Sequence, residues 1–119
     1  MTEDGARQAG AGQALPLHSA LVARLLEGGG RASRSQRRAA FDNRALDEPL
    51  RTLIDKVAKS PTRVTDEDIA AVKTAGWSED QVFELIVCAA VGQSTRQYEA
   101  GLAAMDEALA SQNHAPRDS

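Results

Sequence analysis

Apolar residues recur along this chain three and four positions apart, the spacing that places them on one side of a helix. Leu17, Leu21, Val22 and Leu25 predict a helix over residues 15–27, and the run Gly28, Gly29, Gly30 stops it. Leu50, Leu53, Ile54, Val57 and Ala58 form a second such stripe, with Asp47 as its candidate N-cap and Ser60-Pro61 as its end. Between them, Ser33 to about Asn43 is a weaker helical segment. Its apolar content is only Ala39, Ala40 and Phe41, set against Arg34, Arg37 and Arg38.

Two later helix starts are specified by local chemistry as well as by pattern. Thr65 is placed to accept from the exposed amides of the turn that follows, Asp66, Glu67 and Asp68 complement the positive helix end, and Val64 is positioned to staple onto Ile69. A helix is therefore expected from Asp66, ending near Gly76, which suits a left-handed position. Ser78 with Gln81 makes a capping box, and Trp77 is placed to staple onto Val82, so the last helix starts at Glu79. Its core, Val82 to Val91, carries one charged residue, Glu84, and must lie inside a bundle or between subunits. Tyr98, Leu102, Met105 and Leu109 continue an apolar seam to about Ala110, and Gly92 marks a bend or a close helix contact.

Residues 1–14 and 111–119 lack this periodicity and read as disordered tails around one helical domain at 15–110. Aromatics are 3% of the 119 residues, a composition of close-packed helices rather than sheets. So small a domain gains from pairing with another chain, and a homo-oligomer or a complex with a related helical subunit is expected. The net charge of −3 gives no general attraction to nucleic acid or acidic membrane. The single cysteine, Cys88, rules out an internal disulfide framework, and no N-terminal segment reads as a signal peptide or membrane span, so a cytoplasmic protein is expected.

The order of an acidic capped helix, an Ala-rich middle, the run Ala75-Gly76-Trp77-Ser78-Glu79-Asp80-Gln81-Val82-Phe83-Glu84-Leu85-Ile86 and a small-residue helix resembles the alkylhydroperoxidase D and carboxymuconolactone decarboxylase-like families. The likeness covers roughly residues 50–109. It implies an all-α, multi-helical bundle of the alkylhydroperoxidase D type, with four to six helices and obligate oligomers. In redox members it also implies a Cys-x-x-Cys followed by a His just before the glycine-ended helix. At the corresponding place this chain has Pro61-Thr62-Arg63-Val64 and then Asp68. Both sulfurs and the imidazole are missing, so the family's peroxide chemistry does not carry over.

The remaining candidates are few. Cys88 lies mid-helix among Val87, Ala89 and Ala90, where desolvation makes a thiol inert. His18 and His114 are isolated, so neither a metal nor a cofactor is implied. Glu84 is either a buried acid with a raised pKa or a residue on the exposed edge of its helix. If the helix turned near Gly92, Arg96 and Tyr98 would fold back toward Glu84 and surround a small organic acid; the rival reading makes these polar residues an intersubunit contact. Arg34, Arg37 and Arg38 would share one helix face, a solvated strip or one pairing with acidic residues of a neighbour. The expectation is thus a non-redox structural or accessory subunit, one that could carry a small-molecule cleft. A decarboxylase-like enzyme using Glu84, Arg96 and Tyr98 is the alternative, and a DNA-associated module using the arginines of residues 31–38 is a weaker one.

Overall fold

The computed structural model describes the backbone of residues 14–114 and the side chains of residues 18–112, and among these described residues there are five α-helices and one 3-10 turn. They are α1 (Ala14–Glu27), α2 (Arg34–Asp42), α3 (Leu50–Lys59), a 3-10 turn (Pro61–Arg63), α4 (Asp66–Thr74) and α5 (Glu79–His114). No strand occurs among the described residues, so the chain is all-α. The expected N-terminal tail lies, except for Ala14, outside the described residues. The expected C-terminal tail starts too early at Ser111, because the last helix continues to His114.

The starts of α2, α4 and α5 follow from local hydrogen bonding. The Ser33 hydroxyl accepts from the Gln36 amide at 3.1 Å while the Gln36 side chain accepts from the Ser33 amide at 2.8 Å, a capping box that fixes the start of α2 despite its poor apolar pattern. Thr65 and Asp68 form the same reciprocal pair for α4, and Ser78 and Gln81 for α5. Asp68 also accepts from Lys56 Nζ at 2.9 and 3.0 Å, which ties α4 to α3. That ion pair, then the Thr65 amide, hold the Asp68 carboxyl below its ordinary pKa. Gly76 follows α4 with φ +111°, the left-handed conformation expected of it.

The start of α3 corrects the reading of Asp47. Pro49 occupies the N-cap and makes no side-chain cap bond. Glu48 serves instead, accepting from the Thr52 amide at 3.1 Å and the Thr52 hydroxyl at 2.6 Å.

The core consists of Leu26, Ala32, Ala40, Phe41, Leu50, Leu53, Ile54, Val72, Val82, Leu85, Cys88 and Ala89. All of α2, α3 and α4 pack on the first half of α5. The apolar run 82–91 is therefore covered on its inner side within one chain, where Val82, Leu85, Cys88 and Ala89 need no second subunit, while Phe83 stays 67% exposed. Gly92 is where α2 comes closest: a Cβ there would lie 1.9 Å from the Phe41 carbonyl oxygen. Of the two readings of Gly92, the close contact is the one found, since α5 runs unbroken for 36 residues.

The second half of α5 leaves the body. The radius of gyration is 19.2 Å, against roughly 13–14 Å for a compact domain of this size, and the extents are 65 × 41 × 22 Å. Along this half Tyr98, Met105 and Leu109 are 46%, 54% and 51% exposed, so the seam they form with Leu102 is largely uncovered among the described residues.

Two glycines on one helix give a controlled comparison. Gly92→Ala forces α2 and α5 apart, and overpacking of this kind costs about 1–3 kcal/mol, so its melting temperature falls. Gly101 has nothing within 4 Å of a built Cβ, and Gly101→Ala stabilises by about 0.5–1 kcal/mol through helix propensity. Thermal unfolding followed by circular dichroism reads both.

Candidate functional site

Glu84 lies on the α2-facing side of α5, opposite the loop that joins α1 to α2. Its carboxylate accepts three backbone hydrogen bonds: from the Arg31 amide at 3.0 Å (Oε1) and 2.8 Å (Oε2), and from the Ala32 amide at 2.9 Å (Oε1). The backbone comes so close that a Cβ on Gly30 would stand 2.7 Å from Oε1. The glycine run thus does more than stop α1; it lets two successive amides converge on one carboxylate.

This geometry decides the electrostatics of Glu84. Partial burial pushes its pKa up, but the amides of Ala32 and Arg31 and the charges of Arg37 and Arg31 outweigh it, so the carboxyl lies below its ordinary value. The expectation of a raised-pKa acid is corrected: Glu84 is half-buried, ionised and fully engaged, and poorly suited to carry a proton in catalysis at neutral pH.

Arg37 also departs from its expected place. Rather than sharing a solvated face with Arg34 and Arg38, it is 5% exposed and turns inward. Its Nη1 donates to the Leu25 carbonyl at 3.0 Å, while its Nε is buried without a hydrogen-bond partner. Leaving such a donor unsatisfied costs about 1–3 kcal/mol. Arg34 and Arg38 stay exposed, and Arg38 pairs with Asp42 at 3.1 Å while lying over the Phe41 ring.

One turn beyond Glu84, Cys88 is fully buried. Desolvation, only partly countered by Arg37, pushes its thiol up to about 11, so the thiolate needed for attack on a peroxide is scarce at neutral pH. Burial and a raised pKa are the surroundings that the inert reading of this cysteine requires.

The three residues proposed to surround a ligand are not brought together. An unbroken helix separates Glu84 from Arg96 by twelve residues, roughly 18 Å of rise. Arg96 donates through Nη1 to the Phe41 carbonyl at 2.6 Å and through Nη2 to Gln93 Oε1 at 3.0 Å, a cation set at the negative end of α2. Tyr98 is exposed, its ring 6.3 Å from that of His18. His18 Nε2 meets Thr95 Oγ1 at 2.9 Å, and because the single Thr95 hydroxyl proton goes to the Val91 carbonyl at 2.8 Å, the imidazole is the donor.

A cavity of about 460 Å³ opens between α1 and α2, lined by Leu21, Leu25, Gly28, Gly29, Arg24, Arg37 and Glu84. It contains neither Arg96 nor Tyr98. Sequence pattern placed Arg37 on an arginine face with Arg34 and Arg38, and it did not single out the Arg31 and Ala32 amides. The available signal was the Gly-Gly-Gly run directly before a Ser cap, which permits a close backbone approach. Among the described residues no group of three or more His, Cys, Asp or Glu side chains comes together to hold a metal, and no helix is long and apolar enough to cross a membrane.

The depressed Glu84 pKa has a defined sign in stability. Ionised Glu84 favours the folded state above its ordinary unfolded pKa of about 4.5, and that contribution is lost as pH falls through the lower folded value. Glu84→Gln should therefore lower the melting temperature most above pH 5 and approach the unsubstituted protein as acid protonates Glu84. Equal destabilisation at pH 7 and pH 3.5 would contradict this.

Comparison of the chain with protein-family models, with curated proteins and with solved structures found no match.

Proposed function

We propose that this chain is a non-redox, oligomeric helical protein of the alkylhydroperoxidase D type, serving as a structural or accessory subunit in the cytoplasm. One observation carries the reading. The polar side chains that sequence offered as chemistry, Glu84 and Arg96, are engaged in holding α2, while an apolar seam on the projecting helix is left exposed. Tyr98, Leu102, Met105 and Leu109 follow a 4-3-4 spacing, the spacing by which one helix packs along another. Surface of this kind is characteristic of association. The partner is a second copy or a related helical subunit, laid against the second half of α5.

The family part of the proposal rests on the sequence resemblance over residues 50–109, whose segments form the Thr65 cap, the left-handed Gly76, the Ser78–Gln81 box and the small-residue helix after it. By the resemblance, the redox pair would correspond to Pro61, exposed in the 3-10 turn, and Val64, half-buried just after it. The decarboxylase-like alternative loses support from the separation of Glu84, Arg96 and Tyr98. The nucleic-acid alternative loses it from the inward turn of Arg37.

Because Leu85 is buried inside the chain, its substitution reports on folding rather than on assembly. Met105→Glu combined with Leu109→Glu is the diagnostic change. Sedimentation should show the native protein associated at micromolar concentration and the double variant as a monomer of equal body stability, its self-association weakened at least tenfold. A native protein that is monomeric throughout this range contradicts the proposal.

The non-redox part is checked with a hydroperoxide and a dithiol reductant. No turnover is expected, and native Cys88 should label slowly with a thiol reagent at pH 7. Turnover that disappears in Cys88→Ser would overturn it.

A further inference from the structure

We infer that the cavity between α1 and α2 binds a small carboxylate with an apolar body, gripped by Arg37 and Arg24. The inference concerns a site built within one chain, so it is independent of assembly.

Arg37 supplies the main observation. A guanidinium that is 5% exposed, with one donor satisfied by the Leu25 carbonyl and Nε lacking any acceptor, is an incomplete arrangement in a protein interior. The same side chain lines a cavity of about 460 Å³, within the size range of small-molecule sites. A carboxylate is the acceptor that matches a guanidinium edge. Engaging Nε requires the side chain to turn toward the cavity.

The other walls decide the rest of the ligand. Leu21 and Leu25 are apolar, and Gly28 and Gly29 present backbone without side chains, which leaves room for an aliphatic or ring body. Arg24 adds a second cation at the exposed rim. Glu84 is the one carboxylate in the lining, and an anionic ligand must tolerate it. Both of its oxygens already accept amide hydrogen bonds from Arg31 and Ala32, so its charge is directed to that loop, and the two arginines leave the lining net positive. A cationic ligand would meet the charges of Arg24 and Arg37 and would compete with the three amide hydrogen bonds that Glu84 already accepts. A bare inorganic anion would leave the leucine walls unfilled.

Titration of the full chain with sodium hexanoate, followed by amide chemical shifts, tests this, with acetate, hexan-1-ol and inorganic phosphate as comparisons at the same ionic strength. Hexanoate should saturate, shift the Gly28 and Gly29 amides and bind at least tenfold more tightly than any of the other three. Arg24→Ala, at an exposed position, should weaken hexanoate about threefold or more, and Leu21→Trp should block it by filling the cavity from its rim. Arg37→Met should abolish binding; if that variant does not fold, the other two decide the matter. Hexanoate binding that is absent, that is matched by phosphate, acetate or hexanol, or that is unchanged in both Arg24→Ala and Leu21→Trp would overturn the inference.

Discussion

The structure depends on a two-point fastening of α2 to α5. At one end Glu84 takes the amides of Arg31 and Ala32, just before α2 begins; at the other, Arg96 donates to the carbonyl of Phe41, where α2 ends. The two helices run parallel, and the charges are placed with the helix field: a carboxylate beside the positive end of α2, a guanidinium at its negative end. Gly92 sits between them and admits the Phe41 backbone at a distance that any side chain would forbid. Between these two points α2 contributes Ala40 and Phe41 to the core and turns Arg37 inward to the Leu25 carbonyl, so fastening and packing act on the same short helix.

The same arrangement removes the chemistry that α5 otherwise offers. A carboxylate held by three amide bonds is a structural anion, and a thiol one turn along, buried and pushed up to about 11, is a small core residue. What is left is of two kinds. One is the buried guanidinium of Arg37, incomplete on its own and beside a cavity. The other is the second half of α5, which carries an apolar seam away from the body.

Features whose partners are a few residues apart were legible in the sequence. Thr65 and Ser78 start helices because their hydroxyls reach amides three residues on, and Gly76 adopts the left-handed conformation for which it was read. The stripe Leu50 to Ala58 buries Leu50, Leu53, Ile54 and Ala58 as its period requires. Ser33 with Gln36 was equally local, but the three arginines that follow obscured it. Asp47 was misread because Glu48, one residue on, reaches Thr52 instead. Glu84 and Arg96 were recognised as unusual, yet their partners lie 52, 53 and 55 residues away, and a sequence carries the charge of a side chain without the loop that will receive it. Arg37 was beyond reach for the same reason. A helical arginine among two others is ordinarily solvated, and only the carbonyl of Leu25 and the space beside it draw this one inward.

The central claim is that Glu84 is the structural anchor of the loop between α1 and α2. Amide hydrogen exchange at Arg31 and Ala32 tests it most directly, measured in the native protein and in Glu84→Gln at neutral pH. The account predicts that both amides are protected in the native protein and that their exchange accelerates by an order of magnitude or more in the variant, while amides within α3 and α4 change little. Protection at Arg31 and Ala32 that is absent in the native protein, or that survives the substitution, would contradict it.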